Sequence, residues 1–368
     1  MNLLNDYHRL VSGSSHGLFA TGARTGLSLL SGGYRVAIGT RNFLYDSGLK
    51  STYKPPRPTI SIGNITLGGT GKTPLVAWLA GQLLTLGHHP GFISRGYKSG
   101  KRSHGSSACD EAVCEDGPLN DEGHELALKF GDVPHVQHKK RRRAITELLS
   151  RHPATDVLLL DDAFQHRQVS RSLDIVLIDA SCPFGYMRIF PRGLLREPVS
   201  SLRRADFIIV THADLVTAEE LATLLNDLYK VTPTTPVALA CHVPLAIYTR
   251  DAGRVPFHLW YKENRHSRLM AFSGIGNPAG FRATLKSSGL AVAGAHVFPD
   301  HFDYAKANVA SMLDWKADQT DADFLVTTMK DWVKLDAVKT RTPLIALEVG
   351  IKFLLGEEEL LQAVTAIF

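Results

Sequence analysis

At 368 residues, with 44% of them hydrophobic and 21% charged, the chain is long and apolar enough to bury a large core and to divide into two domains. Four cysteines in such a length exclude a disulfide framework; Cys109 and Cys114 lie close together, but Cys182 and Cys241 offer no matching pair for zinc, so reduced cytosolic thiols are expected. A formal net charge of +5 is mild, and suits anionic ligands or a membrane surface without requiring nucleic acid.

Residues 1–50 alternate apolar runs, Gly17-Leu18-Phe19-Ala20 and Leu27-Ser28-Leu29-Leu30, with Arg24, Arg35 and Arg41. Such a segment suits either a peripheral membrane anchor lying flat at the headgroups or a helix packed on the protein's own core. No apolar run is long enough to span a bilayer, and the charged-then-apolar order of a signal peptide is missing.

The run from Ile60 to Pro74, Ile-Ser-Ile-Gly-Asn-Ile-Thr-Leu-Gly-Gly-Thr-Gly-Lys-Thr-Pro, predicts a strand, a glycine-rich loop and a helix start in direct succession. This is the order of a phosphate-binding loop. Backbone N–H groups of Gly68, Gly69, Thr70 and Gly71 turn toward the anion, Lys72 reaches the β- and γ-phosphates, and Thr73 is a ligand for Mg²⁺. The usual spacing would put a glycine at position 66, where Thr66 stands.

Further strands are expected near Phe92, Val133–Val136, Val157–Leu160, Ile175–Ile178, Phe207–Val210 and Val237–Ala240, with helices between them, the first from Thr73 to Leu86. Residues 246–268, rich in charge, Pro and Gly, predict a linker. Beyond it a second set of strands is expected near Leu269–Phe272, Ala291–Val297, Phe324–Val326 and Leu344–Leu347. The fold class is therefore α/β: a P-loop NTPase-like parallel sheet with helices on both faces over residues 51–245, and a second, smaller α/β domain over 269–368.

The strand ending Leu158-Leu159-Leu160-Asp161-Asp162 delivers two carboxylates where parallel sheets place their active sites. Successive side chains of an extended chain point to opposite faces, so the two acids divide their tasks. One holds Mg²⁺ and the other orients substrate or a basic group. Asp161 is assigned to the metal and Asp162 to substrate, although alternation alone leaves that order open. His166 follows closely enough to share the site, and Arg95 follows a strand end where an arginine can meet phosphate.

Eight motifs stand in order: Gly63-Asn64, the loop Gly68–Pro74, Ser94-Arg95-Gly96-Tyr97, Asp161-Asp162-Ala163-Phe164-Gln165-His166, Pro191-Arg192-Gly193-Leu194-Leu195-Arg196-Glu197-Pro198, Gly274-Ile275-Gly276-Asn277-Pro278, Phe298-Pro299-Asp300-His301 and Thr328-Met329-Lys330-Asp331. With them the chain resembles the tetraacyldisaccharide 4'-kinase family of lipid A biosynthesis. The resemblance implies ATP as phosphoryl donor, Mg²⁺, and an acylated glucosamine disaccharide 1-phosphate lipid as acceptor at its 4'-hydroxyl. It also implies a peripheral location on the cytoplasmic, anionic face of a bacterial inner membrane, and a site in the cleft between two domains. Three residues depart from the family's usual pattern: Ala163 stands for Gly, Met329 for Glu, and Arg192 for a small residue.

Phosphoryl transfer to a sugar alcohol also needs a base. In Asn120-Asp121-Glu122-Gly123, Asp121 matches the family's acid, and His301 matches the histidine paired with it. The resemblance thus makes Asp121 the acceptor of the hydroxyl proton, assisted by His301. Arg196 is a candidate for the acceptor's 1-phosphate. A rival reading rests on Lys139-Lys140-Arg141-Arg142-Arg143: a partitioning-type P-loop ATPase switch that binds DNA or a membrane partner. No helix-turn-helix or RNA-stacking motif supports nucleic acid, and none is expected as a partner.

Overall fold

The computed structural model describes residues 3–96, 119–300, 302–305 and 308–368. Tyr97, Cys109, Cys114 and His301 lie outside them. Strand β1 (Thr59–Asn64) is buried along its whole length and sits between β4 (Val157–Asp161) and β5 (Leu173–Asp179), parallel to both. On one side follow β2 (Pro90–Ser94) and β3 (His135–Gln137), and on the other β6 (Phe207–Thr211). These strands read as apolar runs because both faces are covered.

Alternate side chains serve opposite cores. Ile60, Ile62, Leu159 and Ile175 pack under Leu75, Leu79 and Leu83 of α3 (Lys72–Thr85), together with Leu126 of α4 (Asp121–Lys129). Leu158 and Leu160 turn the other way, onto Ala144, Ile145 and Leu148 of α5 (Arg141–Arg151). Val176, Ile178, Ile208 and Val210 likewise meet Leu224 and Leu228 of α6 (Ala218–Val231). This α/β sheet with helices on both faces is the expected class.

Strand β7 (Val237–Thr249) outruns the four residues expected of it. Its start is parallel to β6, and its length pairs antiparallel with β12 (Leu344–Leu355). One continuous sheet results, running on through β11 (Phe324–Thr328), β9 (Arg268–Ser273) and β10 (Ala291–Val297). Residues 246–268 contain the end of β7, the short β8 (Gly253–Pro256) and α7 (Phe257–Asn264), whose Trp260 is buried. The Pro and Gly there shape a hairpin edge and a helix start. Helix α8 (Pro278–Ser287) packs Phe281 and Leu285 on one face of these strands, and α9 (Val309–Thr320) packs Leu313 and Ala317 on the other. The one-turn α10 (Met329–Trp332) and α11 (Glu357–Thr365) complete the chain.

Helix α1 (Leu3–Ser12) and the 29-residue α2 (Leu18–Asp46) lie against residues 188–198 through polar contacts. Ser31 Oγ donates to the Ile189 carbonyl at 2.9 Å, the Tyr34 hydroxyl donates to the Arg196 carbonyl at 3.3 Å, and Arg41 pairs with the fully buried Glu197. The packed alternative is thus present on one side of the helix, while Leu18, Phe19, Leu29, Leu30 and Phe43 stay exposed. Among the described residues no helix is long and apolar enough to cross a membrane.

Candidate active site

The ends of β1 and β4 place the phosphate-binding loop beside the two acids. Gly71 takes a left-handed φ of 82° and caps α3, and the imidazole of His242 rests against it: a Cβ on Gly71 would lie 2.4 Å from His242 Nε2. Gly71→Ala should therefore abolish ATP-induced thermal stabilisation, with about 1–2 kcal/mol lost to left-handed backbone alone. Thermal shift with and without ATP checks this. The unusual Thr66 is accounted for: it bridges Leu195 as extended backbone, so no glycine is required, and positive φ falls on Gly68 and Gly71. The loop is held from behind by Thr211 Oγ1, which donates to the Thr70 carbonyl at 3.0 Å. From the C-terminal half, Gly276 comes so near that a Cβ there would be 3.1 Å from Gly69 N. Asn277 Nδ2 donates to Asp179 Oδ2 at 3.2 Å.

Lys72 Nζ donates to Asn64 Oδ1 at 3.4 Å and lies 3.6 Å from Asp162 Oδ1. Asp162 itself has a left-handed φ of 48°, and Arg196 Nη1 donates to both its oxygens, at 2.9 and 3.0 Å. Burial favours the neutral acid, but Lys72 and Arg196 outweigh it and hold the Asp162 carboxyl well below the usual range. The turn packs so closely on β1 that a Cβ on Gly63 would sit 2.6 Å from Phe164 Cβ. The left-handed residue of this turn is Asp162, so Ala163, which is buried with its N–H donating to the Ile62 carbonyl at 3.2 Å, needs no glycine.

Asp161 points to another environment. Its Oδ1 is shut off from solvent with no hydrogen-bond donor, and burial pushes the acid up to about 6, with Lys72 opposing and Asp162 and Glu122 adding to the rise. A carboxylate oxygen so placed suits a cation. Beside it lies a residue of the basic run on which the rival DNA- or membrane-binding reading rests: Arg141, buried, donates through Nη2 to the Asp161 carbonyl at 2.7 Å. Burial pulls its guanidinium down to about 10 against Asp161 and Asp162. Only a helix start at position 141, turning that side chain inward, distinguishes it from its basic neighbours.

His166 is held down to about 4, first by burial and then by Arg141, Arg171 and Arg95. Its Nε2 is buried without a partner. Arg95, exposed just beyond β2, adds positive potential at His166. His135, buried and hydrogen-bonded to Ser94 Oγ at 2.7 Å, is lowered by burial to about 3. A histidine lowered in the folded state takes up a proton only on unfolding between its two pKa values, so its contribution to stability falls as pH drops from about 6.5 toward 3. The melting-temperature difference between the wild type and His135→Gln should therefore shrink across that interval in a pH series.

Asp121 and Glu122 open α4, capped by Asn120 Oδ1, which accepts from Gly123 N at 2.8 Å. Lys330 Nζ lies 3.0 Å from Glu122 Oε1, and Lys334 Nζ lies 3.2 Å from Asp121 Oδ2. Burial works against the charge on Lys330, yet Glu122 and Asp300 outweigh it and hold the ammonium well above its usual value. Met329, which departs from the Glu usual in the resembled family, is buried at the start of α10. Glu122 also adds to the rise at Asp161, so this corner and the paired acids share one electrostatic environment. The arrangement thus offers an anion cradle, a cation-ready carboxylate and a separate carboxylate on a helix start.

The family model "Tetraacyldisaccharide-1-P 4'-kinase" matches residues 23–368. A tetraacyldisaccharide 4'-kinase of Anaeromyxobacter sp. (strain K) is 36% identical over 328 residues, covering 86% of this chain and 83% of that protein. Its counterpart from Chlorobium limicola is 34% identical over 340 residues, covering 88% and 92%. The crystal structure of LpxK from Aquifex aeolicus in complex with ATP superposes with a TM-score of 0.70 at 29% identity, covering 94% of this chain and 99% of that one.

Proposed function

The chain belongs to the tetraacyldisaccharide-1-phosphate 4'-kinase family, and we propose that it transfers the γ-phosphate of ATP to the 4'-hydroxyl of a tetraacylated glucosamine disaccharide 1-phosphate. The observation that carries this reading is the glycine-capped loop at Lys72 set beside Asp161 and Asp162. In it the donors of Gly68, Gly69, Thr70 and Gly71 cradle the phosphate chain, and Lys72 adds a point charge at its reactive end. Arg196 holds Asp162 ionised and fixed toward the acceptor side.

Mg²⁺ fits the orphaned oxygen of Asp161, with the Thr73 hydroxyl as the second protein ligand. When bound, the ion neutralises charge spreading over the transferred group. Asp121 accepts the 4'-hydroxyl proton as the oxygen attacks, and His301, assigned by its motif, shares that proton. Arg95 lends positive potential to the acceptor side, and His166 stands behind it as a neutral imidazole whose buried Nε2 has no partner. The acceptor is a lipid, so the exposed apolar residues of α2 and the arginines around them serve at an anionic membrane surface, placing the protein peripherally on the cytoplasmic face of the inner membrane. Residues 51–245 act as the kinase core, and 269–368 as the smaller domain that meets it at the loop.

Transfer of labelled γ-phosphate from ATP to the lipid in detergent micelles tests the proposal. Labelled lipid from the intact protein is the expected result. Release of free phosphate alone, with salt-sensitive DNA binding, would replace it with the ATPase-switch reading.

A further inference from the structure

The two acids at the start of α4 are each met by a lysine from the C-terminal half, and the two contacts are unequal. Lys330 is paired near the surface with Glu122 and with Asp300, at 3.0 and 3.4 Å. Lys334 is only 5% exposed; its Nζ lies 3.2 Å from Asp121 Oδ2 and 2.9 Å from Asp331 Oδ1, both close ion contacts whose angles fall outside hydrogen-bond geometry. Asp331 is fully buried, and its other oxygen accepts from Gly274 N at 2.8 Å and from Thr328 Oγ1 at 3.0 Å. The Tyr304 ring lies 5.4 Å from the ammonium. Asp331 and the ring hold Lys334 from one side, and its other close anionic neighbour among the described residues is Asp121.

We propose that Lys334 is a positioning residue for the phosphoryl-transfer reaction, anchored by Asp331 so that its ammonium holds the Asp121 carboxylate in place and in its ionised form. The inference rests on the reading of Asp121 as the base. It assigns a purpose to the strict burial of Asp331, which costs desolvation unless a cation meets it. It also makes the base a composite of both halves of the molecule, because Asp121 stands on the helix after β2 while Lys334 follows β11. The proton from the acceptor hydroxyl goes to Asp121; Lys334 donates and accepts nothing.

The charged and titratable groups facing this pair among the described residues are Glu122 on α4, Lys330 and Asp331 on α10, and Asp300 and Tyr304 in the loop before α9. Removing the one cation shared by Asp121 and Asp331 leaves an excess of acids, so the protonated form of Asp121 gains. Lys334→Met should lower kcat about 10- to 100-fold, change KM for ATP less than about threefold, and move the acidic limb of the kcat/KM profile to higher pH. Lys334→Arg should recover part of kcat and return the limb. In an Asp121→Asn background, Lys334→Met should have no further effect on kcat.

Full activity and an unmoved acidic limb in Lys334→Met, with Asp121→Asn inactive, would overturn the inference and leave the base assignment standing. Full turnover in Asp121→Asn would instead remove the base assignment itself. Should Lys334→Met melt below assay temperature because Asp331 is left unpaired, the double variant Lys334→Met with Asp331→Asn removes both charges and carries the same expectations.

Discussion

Asp121→Asn reduces turnover by about 10²- to 10⁴-fold while ATP binding is retained, the span expected when a general base is removed from a transfer whose donor is held elsewhere. The replacement is close to isosteric, and the features that build the helix start do not depend on its charge. Asn120 still caps Gly123 at 2.8 Å, and Gln137 Nε2 still donates to Asn120 Oδ1 at 2.7 Å. Lys334 loses one partner at 3.2 Å but keeps Asp331 at 2.9 Å, so no buried charge is stranded. The phosphate cradle lies on a different element, α3 and the loop before it, which is why affinity for ATP is expected to stay within about threefold. Single-turnover transfer with saturating ATP, alongside calorimetric titration with a non-hydrolysable analogue, separates the two quantities. Undiminished transfer by a folded Asp121→Asn would send the search for a base elsewhere in the cleft.

Legibility from sequence followed locality. The strand, loop and helix around Lys72, and the strand delivering Asp161 and Asp162, are contiguous; period and glycine placement expose them without any tertiary information. The sheet's extent was harder to read. In β12 the residues beyond Leu347 include Glu348, Gly350 and Lys352, which break an apolar run, yet Glu348 is buried because Arg254 and Lys129 reach it at 2.6 and 3.4 Å. Periodicity does not record a charge neutralised from two distant elements.

The same reason hid the site's supports. Arg141 looks like its four basic neighbours until α5 is seated against β4, and Lys334 lies three residues past a recognisable Thr-Met-Lys-Asp motif. The Pro191–Pro198 segment announced Arg196 by its motif but not what positions it. In the folded chain Leu67 N donates to the Leu194 carbonyl and Arg196 N to the Ile65 carbonyl, both at 2.7 Å, so this segment is stitched to the strand that feeds the phosphate-binding loop. Through Glu197 it also receives Arg41 of α2 and Arg204. The amphiphilic N-terminal helix therefore rests on the loop that presents Arg196 to Asp162, a link of three segments that no single stretch of sequence contains.

Lys72→Ala is expected to suppress labelled lipid formation at least about 100-fold, because two consequences coincide. The first is loss of the ammonium that the proposed mechanism sets against the transferred phosphate. The second falls on Asp161: Lys72 is the strongest opposing charge on an acid already pushed up to about 6 by burial, and its removal drives that acid further up. At neutral pH a larger share of Asp161 is then protonated and closed to a cation. The fold should survive, since alanine suits the first turn of α3 and Asp162 keeps Arg196 at 2.9 Å. Lys72→Arg should not restore activity, for a broad planar fork cannot occupy the place of a compact ammonium 3.4 Å from Asn64 Oδ1. Phosphoryl transfer measured for the three proteins, each checked by thermal melting, decides the matter. A folded Lys72→Ala that makes lipid product at more than about a tenth of the wild-type rate would mean that the loop binds nucleotide without contributing this lysine to transfer.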